Sequence, residues 1–324
     1  MKKRKWIALM IVLPVFLAGV IIEMVCNNGY ANFTDTVAAD YLWEETVIRG
    51  YGANKVVQLF VEDVITSEAT NAGVLPMSEK LKEQLRRAEE DEAVKAIVLR
   101  INSPGGEVVA TDELYRRLLQ IKKQKGIPIV ISMGTMAASG GYYLAAAGDY
   151  IFANPNTLTG SLGVIFRLYN YDVTAERLGI KEYAIKSVIY KDIGSPMRPL
   201  AEAERKILQS LVNESHENFI NVIVNGRKLS REHVLRIADG RIYSGVQARN
   251  LGLIDNFGDL DDATAYAAKL IRDENASVVR YEDIFSLNQF ILGMQQKWTS
   301  HDLLGLERLA ARRNQPKLLY QYLP

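Results

Sequence analysis

Apolar positions divide the chain into an unbroken apolar head and a body of alternating patterns. The run WIALMIVLPVFLAGVII (residues 6–22) is uninterrupted, and Met24 and Val25 extend it past Glu23. A bilayer-spanning helix needs about 20 apolar residues, range roughly 17–25, so residues 6–25 read as a transmembrane segment. Residues 26–53 hold no sustained period and read as a linker. Strand and helix patterns then alternate. VVQLFVEDVI (56–65), VKAIVLRI (94–101) and PIVIS (128–132) are short apolar runs rich in β-branched residues, as buried parallel strands are. Helical periods fall between them, at MSEKLKEQLRRAEED (77–91) and EVVATDELYRRLLQIKKQKG (107–126), the second ending on a glycine. SGGYYLAAAG (139–148) reads as the next helix, and DYIFAN (149–154), GVIFRLYN (163–170) and KEYAIKS (181–187) as strands. A long helix over 201–226 and a short one over 231–240 follow. This order predicts an α/β fold with a mostly parallel sheet. The folded domain is placed at 54–270, with an extension over 271–324 whose end, after about Asn288, reads as a solvated tail.

Charge orients the head. Lys2, Lys3, Arg4 and Lys5 precede the apolar run, which puts residues 1–5 in the cytoplasm and the domain on the outer side of the membrane. A cleaved signal peptide is the rival reading, but the run is long for one and no small-x-small site follows closely. The formal net charge is +1, with 48% hydrophobic and 24% charged residues, so nothing points to a nucleic-acid partner. Three histidines and one cysteine leave little material for a structural zinc site or a disulfide framework. No metal or cofactor is expected. Cys26 reads as an interfacial residue; a lipoprotein-type attachment is the weaker alternative, because Glu23, Met24 and Val25 before it are not small.

Candidate chemistry centres on MGTMAASGGYYLAAAG (133–148), where the hydroxyl of Ser139 stands directly before Gly140 and Gly141. Taken alone, the stretch fits tight helix–sheet packing better than catalysis, and Ala137 breaks the G-x-S-x-G pattern of the α/β-hydrolase elbow. A second glycine turn raises the interest. RINSPGGE (100–107) leaves a strand through Pro104, Gly105 and Gly106 and enters a helix. Such glycines free backbone N–H groups to point at a ligand, the material of an oxyanion hole.

A serine nucleophile needs a base. His216 falls on the apolar stripe of the long helix, His233 in a short polar helix and His301 in the tail, none on a loop suited to a site. A lysine serves only where burial lowers its pKa, by as much as about 3–5 units in fully buried cases. Lys191, in VIYKDIGSPMRP (188–199), lies outside the charged helical faces, although taken alone that stretch fits a plain loop lysine better than a base.

INSPGGEV, MAASGGYYLA, LTGSLGVI, YKDIGSP and DGRIYSGVQARNLGLIDNFGDLDDA, in this order over about residues 54–270, resemble the motif set of the signal peptide peptidase A (protease IV) family. The resemblance implies a Clp/crotonase-like fold behind a membrane anchor and a Ser–Lys endopeptidase. It implies Ser139 as nucleophile, Lys191 as general base, Ser161 as the hydroxyl that orients the lysine, and Gly106 as an oxyanion donor, with the Gly140 N–H a second. One copy of the core is present, as in the short form of the family. That form implies a ring-shaped homo-oligomer whose sites take Ser and Lys from different subunits, and cleaved signal peptides and other apolar peptides as substrates. Glu107 departs from the pattern, where a small or neutral residue often follows SPGG, which bears on subsites rather than on the dyad. The rival readings are a crotonase-type acyl-CoA enzyme and a non-catalytic membrane scaffold. The apolar end LLYQYLP (318–324) also suggests a segment that enters an active site as internal substrate or product.

Overall fold

The computed structural model describes residues 43–68, 75–283 and 318–322. Residues 45–281 and 318–322 belong to one compact body, and Trp43, Glu44, Glu282 and Asp283 to a second unit. The chain enters through β1 (Trp43–Arg49) and β2 (Lys55–Glu62), crosses α1 (Met77–Glu90) and returns through β3 (Val94–Ser103). The short β4 (Gly105–Glu107), α2 (Val108–Lys125), β5 (Ile129–Ala138), α3 (Gly140–Ala145) and β6 (Tyr150–Ala153) follow. Then come β7 (Leu158–Gly160), β8 (Ile165–Phe166) and α4 (Asp172–Arg177), and beyond them the long α5 (Glu202–Arg227) and α6 (Arg231–Ile237). The body closes with β9 (Ile242–Ser244), α7 (Gly245–Asn250), β10 (Asn256–Phe257), α8 (Leu260–Leu270), β11 (Ser277–Asp283) and β12 (Leu318–Gln321).

The main sheet runs β1-β11-β2-β3-β5-β6-β10, with β7 on the end of β5 and β9 beside β7. Pairings of β2 with β3, β3 with β5, and β5 with β6 and β7 are parallel. That is the mixed α/β, mostly parallel architecture expected, consistent with a Clp-protease-like fold. Val98 and Val130, fully buried on β3 and β5, explain the unbroken apolar runs: helices cover both faces of the sheet. Ala263 and Ala267 of α8 pack on Val56, Val98 and Val130. Leu81 and Leu85 of α1 and Leu114 and Leu118 of α2 are fully or almost fully buried. A second, antiparallel sheet of β4, β12 and β8 lies at the carboxyl ends of the parallel strands, where open α/β sheets bind ligands.

Several elements differ from expectation. The stretch 181–187 forms no strand, because Tyr183 and Ile185 are exposed and no burial supports one. Of 163–170 only β8 pairs. The range 26–53 contains β1, and β11 adds a sheet strand beyond residue 270. The tail is not wholly solvated, since β12 is built into the fold. The apolar run 6–25 and Cys26 lie outside the described residues; among the described residues no helix is long and apolar enough to cross a membrane.

Candidate active site

Ser139 occupies the turn between β5 and α3 with φ 53° and ψ −115°, a backbone conformation that glycine usually supplies. The residue is 1% exposed. The turn is held by its own hydrogen bonds: Ser139 N–H donates to Gly160 O at 2.8 Å, and Tyr143 N–H donates to Ser139 O at 2.9 Å. Among the described residues the hydroxyl itself reaches only the Gly163 carbonyl, at 3.5 Å, the outer limit of a hydrogen bond. It is therefore positioned but not committed.

Parallel pairing explains why Ser161 is near. Ala138 of β5 is opposite Gly160 of β7, so both chains leave the sheet at the same level, through Ser139 and Ser161. Ser161 also has a positive φ, 50°, and its N–H is fixed on Arg241 O at 2.7 Å. Two threonines lock that register: Thr157 Oγ1 donates to Gly134 O at 2.7 Å and Thr159 Oγ1 to Ala137 O at 2.6 Å. Reading the sequence missed both, although a hydroxyl every second residue on one strand is a visible signal.

The glycine turn forms the opposite wall. Gly105 has φ +95°, and its N–H donates to Ser103 Oγ at 3.1 Å. Glu107 N–H donates to Ile65 O at 2.8 Å. Successive N–H groups of a strand point to opposite sides, so the N–H of Gly106, between them, is aimed across at β12. There Tyr320 is its register partner. The Gly140 N–H begins α3 and has no partner within that helix.

β12 therefore fills the cleft beside Ser139. It pairs antiparallel with β4 on one side and with β8 on the other, and Tyr322 N–H donates to Pro104 O at 2.7 Å. The Tyr320 ring is 1% exposed. It stacks on Tyr143 at 5.0 Å between centroids and lies 4.9 Å from Phe219. Its hydroxyl donates to Ser215 O at 2.8 Å. Burial raises its pKa, so the phenol stays neutral and keeps that donor. The Tyr320 carbonyl oxygen lies 3.1 Å from the position a Cβ on Gly140 would take. An aromatic side chain thus fills a pocket lined by Tyr143 and Phe219 while its carbonyl faces the glycines. That pocket was not legible in advance, because α5, carrying Phe219, lies far from Ser139 in sequence.

Lys191 is not joined to this group. It is exposed, and among the described residues no hydrogen bond links it to Ser139 or Ser161. It sits in a segment without helix or strand where Ile185, Val188, Ile189 and Tyr190 are also exposed. The histidines do not replace it. His233 Nε2 is 3.0 Å from Leu251 O, His216 Nε2 is buried on α5 without a partner, and His301 lies outside the described residues. Glu107 acts locally, its carboxylate accepting Thr66 Oγ1 at 3.0 Å and Ser67 Oγ at 2.6 Å and so pinning the turn beside the cleft. Among the described residues no cluster of three or more His, Cys, Asp or Glu could hold a metal ion.

Comparison with known proteins agrees with this architecture. Residues 121–272 match Peptidase family S49 and residues 54–159 match Clp protease. A protein of Enterococcus faecium assigned as a signal peptide peptidase SppA is 34% identical over 87% of this chain and 86% of its own length. Protease 4 of Haemophilus influenzae is 32% identical over 70% of this chain but only 36% of its own. The chloroplastic serine protease SPPA of Arabidopsis thaliana is 33% identical over 59% of this chain and 28% of its own. With a strand-end serine in a buried turn, facing glycines across a peptide-filled cleft, this chain belongs to peptidase family S49, the signal peptide peptidase and protease IV family, and is a serine peptidase.

Proposed function

We propose that the chain is an endopeptidase in which Ser139 attacks the peptide carbonyl and neutral Lys191 takes its proton. Ser161 orients the lysine, and the N–H groups of Gly106 and Gly140 receive the developing oxyanion. Water then releases the acyl group. The observation that carries this reading is β12 itself. A segment of peptide lies extended along Gly105–Gly106, its tyrosine buried and its carbonyl against the glycines. A substrate bound in the same way presents its scissile carbonyl to Ser139.

The dyad is completed between copies. Among the described residues no base bonds the buried Ser139, whereas Lys191 is exposed among exposed apolar residues. A contiguous exposed apolar patch marks an interaction surface, and a neighbouring copy in a ring brings that segment to the site. Burial there removes water from the ammonium and favours the neutral amine a base must be. The catalytic domain, about 54–270, is tethered by residues 6–25 outside the cytoplasmic membrane. Its substrates are apolar, extended peptides, the remnants of signal peptides left in the bilayer.

Three measurements test this. A fluorophosphonate is expected to label Ser139 and to be lost with Ser139→Ala. Lys191→Ala is expected to lower kcat by on the order of 10²–10⁴. Mixing Ser139→Ala and Lys191→Ala proteins is expected to restore part of the activity, since one hybrid contact then holds both groups. Labelling at another residue would overturn the nucleophile, and absence of complementation the shared site.

A further inference from the structure

The segment that carries Lys191 has an anchor. Its apolar side chains are exposed, so core burial does not order it. Arg198 does. Its guanidinium makes five hydrogen bonds: Nε to Asp192 Oδ2 at 3.0 Å, Nη2 to Asp192 O at 3.0 Å and to Glu204 Oε1 at 2.5 Å, Nη1 to Glu204 Oε2 at 2.8 Å and to Pro199 O at 3.2 Å. Five is the full donor complement of an arginine. Exposed arginines commonly keep several donors in water; this one keeps none.

Both ends of the clamp are informative. Glu204 has a side chain only 4% exposed, and its carboxylate also accepts Ala201 N–H at 3.0 Å, in the first turn of α5. Asp192 is the residue after Lys191, and Arg198 holds both its carboxylate and its carbonyl. Lys186 adds a third hold on Asp192, Nζ to Oδ1 at 2.7 Å. Around it the backbone turns on itself, with Lys191 N–H to Val188 O at 3.3 Å, Ile193 N–H to Tyr190 O at 3.1 Å and Ser195 N–H to Asp192 O at 3.0 Å. The peptide group after Asp192, one residue beyond Lys191, is thus tied through Arg198 to Glu204 at the start of a long helix rather than to the sheet that holds Ser139.

We infer that Arg198 is a positioning residue, whose bonds to Asp192 and Glu204 aim Lys191 at the serine of a neighbouring copy. The inference rests on the reading of Lys191 as the base. It assigns Arg198 no contact with substrate. A planar fork is needed, because an ammonium cannot grip two carboxylates and two carbonyls in fixed directions. The clamp is also neutral, two cations against two carboxylates, so Asp192 does not leave an unbalanced negative charge beside a lysine that must lose its proton.

The test compares wild type with Arg198→Met, Arg198→Lys and Asp192→Asn, the last of unchanged shape in case the arginine variants fold poorly. The full-length protein in detergent is assayed on an apolar peptide, with assembly followed by sedimentation. Misplacing a reacting group by about 1 Å costs on the order of 10²-fold in rate. We expect a fall of that order in kcat for both arginine variants and a smaller one for Asp192→Asn, with KM within about two-fold and assembly unchanged. Retention of kcat within about two-fold by Arg198→Met, or full activity in Arg198→Lys, overturns the positioning role. So does a joint loss of kcat, substrate binding and assembly in all three variants, which marks a structural brace. Lys191→Ala run alongside separates the two claims: if it retains wild-type kcat, the base assignment fails first and the role of Arg198 with it.

Discussion

The carbonyl oxygen of Tyr320 lies 1.9 Å from the point that a Cβ on Gly105 would occupy. The same Cβ would stand 2.6 Å from the backbone nitrogen of Gly140, and Gly105 has φ +95°. Alanine there meets backbone on both sides and strain in its own dihedral, so neither wall of the cleft can yield cheaply. Gly105→Ala is expected to lower kcat/KM by on the order of 10²–10³, the cost of losing an oxyanion donor, and to exclude the tail strand. Steady-state kinetics check it; wild-type kcat/KM would show that the peptide carbonyl does not pass this point.

Ser139 stores strain of a different kind. At φ 53° and ψ −115° a non-glycine residue costs on the order of 1–3 kcal/mol, and the turn persists because its N–H and carbonyl are both bonded into β7 and α3. Ser139→Gly removes the Cβ that causes the strain. Denaturant unfolding is expected to show a gain of about 1 kcal/mol while hydrolysis is abolished. A loss of stability would mean that the hydroxyl, not the backbone, holds the turn.

How much of this was legible beforehand follows from where each signal resides. The parallel strands were, because Val98, Val130 and their neighbours are buried on both faces and leave unbroken apolar runs. The small residues around Ser139 were visible, but not their reason: β5 and β7 must end side by side for Ala138 to meet Gly160. Residues 181–187 misled because Tyr183 and Ile185 alternate like a strand while facing solvent. Alternation records a spacing that would suit a strand, not whether a neighbouring strand and burial are there to support one. The Tyr320 pocket was hidden for a related reason, since Tyr143, Ser215 and Phe219 converge only in the tertiary fold.

A strand of the chain's own tail in the cleft competes with any added peptide. Tethering gives it an effective concentration of up to the millimolar range, and Tyr320 supplies the main buried contact. A chain ending at Lys317 is therefore expected to show an apparent KM about ten-fold lower for apolar peptides, with kcat little changed. Tyr320→Ala in the full chain is expected to move KM in the same direction, as its ring leaves Tyr143 and Phe219. An unchanged KM in both proteins would mean that the tail leaves the cleft before substrate arrives. Intact-mass measurement of wild type beside Ser139→Ala tells whether the tail is also cut; identical termini exclude self-processing.

The pH response tests the clamp. Hydrogen bonds from Arg198 hold the carboxyls of Asp192 and Glu204 below the ordinary carboxylate range, Lys186 adding to the effect at Asp192. A carboxyl whose folded pKa is lowered contributes its stabilisation above its unfolded pKa and loses it only as pH falls through the folded one. Between about pH 8 and about pH 5 both groups therefore stay charged and the clamp stays closed. The segment 181–200 is therefore expected to keep its resistance to limited proteolysis across that window. Cleavage of that segment rising between about pH 8 and about pH 5 would mean that Arg198 does not hold the two carboxylates in this way.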